Sequence, residues 1–284
     1  MGYWVVVVTR NGAEHLRKTI DSVLSQSEPP KRVTVVDDGS NDNTPKILQQ
    51  YQQVTDNVKV LTKPDRGYDI RRVPANINQA WAKNIDLTTD YFMISGDDCT
   101  YPIDYAARLL AKMQSDARLV VASGRPTSGG TQSLEHSPSG SGRMVRSSFW
   151  SVVGGAYPSS AGWETWLLYK AQEQGLTVKL FIDLSYAHAR PRGAAHQFVY
   201  WGAAMGTLGY HPLYAIGRIA RNALVRSIGI VGAINMTRGY LQSRLGSNDP
   251  FIRPFDKRLR EFVKCEQRLR IQEIVAGILQ KFFR

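Results

Sequence analysis

Apolar and polar positions along the first 190 residues follow two alternating periods. Val5–Val8 and Val33–Val36 are short β-branched runs, and between them Leu16, Ile20, Val23 and Leu24 recur at helical spacing. This predicts a strand, a crossover helix and a second, parallel strand. A helix is expected from Thr44 to about Tyr51, capped by Asn43 or Thr44, with Pro45 in the first turn where its missing N–H costs nothing. A strand at Val58–Leu61, a helix over Ile77–Ile85 and a strand at Tyr91–Ile94 continue the alternation, and the last ends abruptly at Ser95-Gly96-Asp97-Asp98. Further on, Leu119–Ala122 reads as a strand, the Gly- and Ser-rich stretch 124–142 as a mobile loop or lid, Gly162–Gln174 as a helix and Lys179–Asp183 as a late strand. Alternating strands and helices predict an α/β domain around a mostly parallel sheet.

From Ala194 onward the pattern is helical, broken at Gly209-Tyr210-His211-Pro212 and at Gly246–Pro254. The last helix, roughly Phe255 to Phe283, spaces Leu259, Phe262, Leu269, Val275, Ile278, Leu279 and Phe282 at threes and fours, with Lys and Arg between them. The expected organisation is therefore a domain over 1–190 and a basic, amphipathic helical extension over 191–284. The chain carries 284 residues, 43% of them hydrophobic, enough for a packed core, and a net charge of +12. Residues 191–284 hold 15 Lys+Arg against 5 Asp+Glu, so ten of those twelve charges sit in the extension. Such a stretch draws anionic partners, and an anionic membrane surface is the expected one; packing of its apolar stripes on the first domain or on a second subunit is the competing use. The two cysteines, Cys99 and Cys265, show neither disulfide nor zinc spacing, which fits a reducing compartment. The Val run at the start is too short for a signal peptide, and no stretch is apolar enough to span a bilayer. A cytoplasmic protein, peripheral on the cytoplasmic membrane face, is expected.

In parallel sheets ligands gather at the carboxyl ends of the strands, and two of those ends carry paired acids here, Asp37-Asp38-Gly39-Ser40 and Asp97-Asp98. A strand that ends in two acids, a glycine turn and small polar residues up to a helix start offers directed acceptors and free backbone N–H groups, which suits a nucleoside. The second pair suits a hard divalent cation, Mn²⁺ or Mg²⁺, which needs carboxylate oxygens on a rigid support.

Residues 5–45, running from Val8-Thr9-Arg10-Asn11-Gly12 through Ser22-Val23-Leu24-Ser25-Gln26 to Asp37-Asp38-Gly39-Ser40, closely resemble the opening of family 2 glycosyltransferases. The resemblance extends in order over about residues 3–190. It implies a GT-A (Rossmann-like) fold with a C-terminal helical extension, and an inverting transfer from a nucleoside diphosphate sugar to a hydroxyl acceptor on a glycan, polysaccharide or lipid. A UDP-sugar is the favoured donor, with GDP- and dTDP-sugars as alternatives. Thr9 and Arg10 would line the base pocket, where relatives usually carry an aromatic in place of Arg10, and Asp37 and Asp38 would hold the nucleoside. Arg72, with Arg66 nearby, would reach the nucleotide. Ser95-Gly96-Asp97-Asp98 occupies the place of the acidic metal motif, with Ser95 replacing its first acid. Asp97 and Asp98 with His188 would hold the metal, and Asp97 would also touch the donor. Glu164 would be the general base, although Thr165 stands where many relatives carry Asp. Arg190 and Arg192 would meet the diphosphate, and Arg143 and Arg146 would line the acceptor channel.

Because Ser95 and Thr165 replace residues that are often acidic, a catalytically degenerate nucleotide-binding or regulatory protein is the alternative. A nucleotidyltransferase lacks its Gly-rich loop and Lys after Val8. A nucleic-acid-binding module lacks a recognised motif, so no nucleic-acid partner is expected.

Overall fold

The computed structural model describes residues 2–85, 87–128, 131–132, 137–190, 197–225 and 228–282. In chain order these form β1 (Tyr3–Thr9), α1 (Leu16–Leu24), β2 (Val33–Asp37), α2 (Thr44–Val54), β3 (Val58–Thr62), α3 (Val73–Ala82), β4 (Tyr91–Gly96), β5 (Cys99–Thr100), α4 (Tyr105–Gln114), β6 (Leu119–Ser128), β7 (Thr131–Gln132), β8 (Arg143–Arg146), α5 (Ser147–Val152), α6 (Trp163–Glu173), β9 (Thr177–His188), α7 (Gln197–Thr207), α8 (Pro212–Val225), α9 (Gly229–Leu245) and α10 (Lys257–Phe282). They fall into two compact units, one of residues 1–158 and 174–191, the other of 159–173 and 192–284. The stretch 159–173, which carries Glu164, thus groups with the later helices although it lies before residue 190.

The first unit is built on one sheet in the order β3-β2-β1-β4-β8-β6-β9-β5, with β7 paired to β6. β1 runs parallel to β2 and β4, and β2 parallel to β3, as the alternating pattern predicts. Beyond β4 the sheet is mixed, because β8 enters antiparallel between β4 and β6 while β6 and β9 pair in parallel. Every residue of β1 except Val8 is buried, since both faces of the strand are covered. Tyr3, Val5 and Val7 face a core completed by Leu16, Ile20 and Val23 of α1, Leu48 of α2 and Leu109 of α4. Trp4 points the other way, into a stack with Phe92 of β4 and Trp81 of α3 that Trp150 of α5 closes. This opposite facing is the period-2 alternation of a strand made visible.

Two expectations need correcting in this unit. The stretch 124–142 is not a free lid along its length: residues up to Ser128 continue β6, and residues 131–132 return against Thr127 and Ser128. Ser139 N donates to Ser123 Oγ at 2.8 Å, while Tyr186 and Tyr105 donate to the carbonyls of Ser141 and Gly142 at 2.6 Å each. Residues 129–130 and 133–136 of that stretch lie outside the described residues. Arg143 and Arg146 belong to β8. Arg143 is 2% exposed, with its guanidinium donating to the carbonyls of Ser139 and Pro138. Arg146 pairs in register with Tyr91, at the end of β4 opposite Asp97, and donates to the carbonyls of Met113, Asp116 and Leu119. Arg143 is thus enclosed on backbone acceptors that would otherwise be buried unpaired, and Arg146 is held on backbone carbonyls at the end of β4 away from Asp97, which does not favour the expected acceptor channel.

In the second unit α7 and α9 touch through glycines. A Cβ added at Gly202 would lie 1.8 Å from the carbonyl oxygen of Met236, and one at Gly239 would lie 1.8 Å from that of Val199. α10 packs its first half against α6, burying Leu259 and Val263 completely. Lys170 at 3.0 Å and Arg258 at 2.9 Å hold the buried carboxylate of Glu173. Leu269 and Ile274 are exposed. The side chains of Val275, Ile278, Leu279 and Phe282, expected on the same apolar stripe, lie outside the described set. Among the described residues no helix is long and apolar enough to cross a membrane.

Candidate functional site

Parallel register lines up the carboxyl ends of β1, β2 and β4: Thr9 pairs with Asp37, and Val8 with Gly96, the residue before Asp97. Polar residues at three strand ends therefore converge. Thr9 Oγ1 donates to Asp97 Oδ2 at 2.6 Å, and Asp97 Oδ1 accepts from Arg190 Nη1 at 2.7 Å. Burial raises the Asp97 carboxyl above its ordinary value and the nearby Asp98 adds to this, while Arg190 and Thr9 oppose it. Gly12 leaves room for the Thr9–Asp97 bond, because a Cβ there would fall 2.3 Å from Thr9 Oγ1 and 2.4 Å from Asp97 Oδ2.

At the end of β2, Asp37 is turned inward and accepts from the backbone N–H of Ser40 at 2.9 Å and from its hydroxyl at 2.6 Å, closing the turn. Asp38 instead meets Arg72, whose Nε, at 3.0 Å, and Nη2, at 2.8 Å, both donate to Asp38 Oδ2. Arg72 also donates to the carbonyl of Gly67. Arg10 is held through its edge: it donates to the carbonyls of Asp38, at 2.8 Å, and Gly39, and forms an ion pair with Asp65 at 2.7 Å. Asn11, in the left-handed region at φ 51°, accepts from the N–H of Asn41 at 2.9 Å and donates its own N–H to Ser40 Oγ at 2.8 Å. The loops after β1 and β2 are thus stitched together. Arg66 is exposed on the loop after β3.

The acids after β4 are framed from the other side. β5 pairs antiparallel with the end of β9, setting Cys99 opposite His188, and Ala189 N donates to the carbonyl of Asp98 at 2.9 Å. His188 Nδ1 lies 2.8 Å from the carbonyl oxygen of Arg190. A carbonyl only accepts, so Nδ1 is the donor there and Nε2 is turned toward Asp98 Oδ1, 3.7 Å away. An unprotonated Nε2 and the Asp98 carboxylate at that separation fit a cation between them. Donor atoms of Asp98, Cys99 and His188 all lie within 4.8 Å of one another. Burial pushes the Cys99 thiol up to about 12, so it stays protonated and is a poor ligand for a hard cation. Asp98 and His188 are the donors that fit Mn²⁺ or Mg²⁺. Asp97, expected as a ligand, stands outside this group with both oxygens engaged by Thr9 and Arg190.

Ser95, which replaces the first acid, is 2% exposed and bonds to Tyr101 Oη at 2.8 Å. Its side chain packs into the protein. Glu164 is exposed in the first turn of α6, within the helical unit, and Arg192 lies outside the described residues. Two polar groups beside the expected site escaped the sequence reading. Asp65 holds Arg10, and Lys63, lowered by burial and influenced by Asp38, Arg72 and Arg66, donates to Asn76 Oδ1 at 2.5 Å. Their signal was the same as for the others, because Lys63-Pro64-Asp65 follows the carboxyl end of β3.

Known proteins share this fold. Residues 4–174 match the model of a family described as Glycosyl transferase family 2. A 68-residue stretch is 37% identical to the uncharacterized glycosyltransferase MG025 homolog of Mycoplasma pneumoniae, covering 23% of this chain and 23% of that protein. Glycosyltransferase AglE of Haloferax volcanii is 34% identical over 64 residues, 22% of this chain and 21% of AglE. The matches thus span less than a quarter of these relatives' length. Among solved structures, S. aureus TarS 1-349 shares the fold with a TM-score of 0.58 at 15% identity, over 85% of this chain and 80% of that one. The mannosyltransferase PcManGT of Pyrobaculum calidifontis, in complex with GDP-Man and Mn²⁺, has a TM-score of 0.57 at 15% identity, over 86% of this chain and 76% of its own. With a family match over more than half its length and the fold of GT-A enzymes, the chain belongs to glycosyl transferase family 2.

Proposed function

We propose that this chain is an inverting glycosyltransferase that moves a sugar from a nucleoside diphosphate sugar to a hydroxyl acceptor. The observation that carries the reading is the convergence of two differently equipped acid pairs at the carboxyl ends of neighbouring strands: Asp38 clasped by Arg72, and Asp98 facing His188. In this reading Thr9, Arg10, Asp37, Asp38, Arg66 and Arg72 shape the nucleoside pocket, and Asp97, tied to Thr9, orients the donor. Arg190, whose side chain is 41% exposed, carries the cation beside Asp97 that would meet phosphate oxygens, with Arg192 following it. A divalent cation held by Asp98 and His188 would neutralise charge on the departing nucleoside diphosphate. Glu164 takes the proton of the acceptor hydroxyl as its oxygen attacks the anomeric carbon opposite the leaving group.

A UDP-sugar is the favoured donor, supported by TarS having been crystallised with UDP and with UDP-GlcNAc, although PcManGT was crystallised with GDP-Man. The acceptor is a glycan, polysaccharide or lipid-linked saccharide, met at an anionic membrane face on which the basic helices rest. The inward packing of Ser95 favours an active enzyme over a degenerate one, because the acid lost at that position would not have faced the cleft. Thermal-shift titration with UDP, GDP, CDP and dTDP, each with and without Mn²⁺ or Mg²⁺, tests the proposal. A shift that needs one nucleotide and the metal together supports it, and no shift with any pair overturns it. Glu164→Gln is expected to bind nucleotide normally and to lose turnover; normal turnover would remove Glu164 from the role of base.

A further inference from the structure

We propose that α8 and α9, rather than α10, form the surface with which this chain lies on an anionic lipid bilayer. The inference rests on the peripheral attachment proposed above and assigns it to particular residues. Eight large aliphatic side chains on these two helices are exposed: Leu213, Ile216 and Leu224 on α8, and Ile230, Val231, Ile234, Leu241 and Leu245 on α9. They are half of the exposed large hydrophobics found among the described residues. On α9 the spacing of 230, 234, 241 and 245 places four of them on one stripe, and these four, with Ala223 of α8 and Arg238, line a groove of about 760 Å³.

Charge says what covers this face. Between Asp183 and Asp249 the sequence has no Asp, Glu or Lys, and the two helices carry Arg218 and Arg221 on α8 and Arg238 and Arg244 on α9. A second copy meeting the face by two-fold symmetry would set arginine against arginine with no carboxylate on either helix to answer it. A layer of anionic headgroups over hydrocarbon answers both the arginines and the aliphatic stripe. α10 differs in kind. Its leading apolar residues are buried against α6, and it mixes its cations with Glu261, Glu266 and Glu273. The 14 residues of α8 and 17 of α9 span about 21 and 26 Å, short of the ~30 Å hydrocarbon core, so they would lie in the interface plane.

The test is flotation of the full chain with phosphatidylcholine vesicles, with and without phosphatidylglycerol. Wild type is expected to float only with the anionic vesicles. Arg238→Ala/Arg244→Ala should weaken binding on the order of 30-fold, from about fivefold per arginine. Ile234→Ser/Leu241→Ser should weaken it at least about tenfold. All four positions are exposed or partly so, and an unchanged circular dichroism spectrum confirms folding. Leu269→Ser/Ile274→Ser on α10 should bind as wild type. If wild type does not float, peripheral attachment itself fails. If wild type floats and the α8–α9 variants float equally, or the α10 variant is the one that detaches, this assignment is overturned. Sedimentation showing a dimer that the α8–α9 substitutions dissociate, without vesicle binding, overturns it in favour of a second copy.

Discussion

Gly39 and Gly67 offer a paired test of how the nucleoside end of the cleft is built. Both sit in the left-handed region, at φ 74° and 72°, so alanine at either position meets the same backbone strain of about 1–2 kcal/mol. Their surroundings differ. A Cβ at Gly67 meets nothing within 4 Å, whereas one at Gly39 would lie 2.5 Å from Asp65 Cα, 2.6 Å from Asp65 N and 2.6 Å from Pro64 O. These are backbone atoms, which cannot swing aside as a side chain would, so the loops after β2 and β3 must separate. Overpacking of this kind costs about 1–3 kcal/mol more. Gly39→Ala is therefore expected to lose about 2–5 kcal/mol in urea unfolding and Gly67→Ala only the strain. Moving the loops apart also pulls the carbonyls of Asp38 and Gly39 and the carboxylate of Asp65 off Arg10, so Gly39→Ala should lose the nucleotide-dependent thermal shift that Gly67→Ala keeps. Equal stability losses in the two variants would refute the reasoning, because only the steric difference separates them.

Other substitutions probe the remaining supports. Thr9→Val removes the donor to the buried Asp97 and should cost about 1.5–3 kcal/mol, with Thr9→Ser restoring most of it; unfolding curves of the two variants decide this. Arg143→Met leaves the carbonyls of Ser139 and Pro138 short of a buried donor and should lower stability by at least about 1–3 kcal/mol, while nucleotide affinity measured well below the melting point stays the same. Cys99 is buried and its thiol is pushed up to about 12, so it should resist iodoacetamide in the folded protein, and raising the pH to about 9 should not help. Cys265 is exposed and should be alkylated; labelled peptides read by mass spectrometry distinguish the two.

The opening of the fold was readable because each early strand is a β-branched run stopped by acids and glycine. β1, β2 and β4 begin and end within a few residues of where the pattern puts them, and the acids at their ends do converge. β8 was not readable. Four residues, Arg143-Met144-Val145-Arg146, have no usable period, and arginines at both ends look like surface until their carbonyl partners are known. α4 was missed although Tyr105, Leu109 and Met113 stand at helical spacing and are buried. At the site, type and place were legible but pairing was not. Nothing in the spacing said that Arg10 would be spent on Asp65, or that Asp97 would face Arg190 while Asp98 faced His188, because those contacts join residues 55 to 93 positions apart.

The route of the chain through its two units bears on how it can be made and cut. β6 is finished at Ser128, yet its parallel neighbour β9 begins only at Thr177, after α6 has been contributed to the other unit. During synthesis that edge of the sheet stays bare until β9 emerges, and a bare edge strand recruits other chains. A fragment stopped at residue 174, where the family match ends, would keep the edge open permanently and would lack His188 and Arg190 as well. Such a fragment should aggregate, and the sheet itself is complete only near residue 190, well past the boundary that sequence similarity marks.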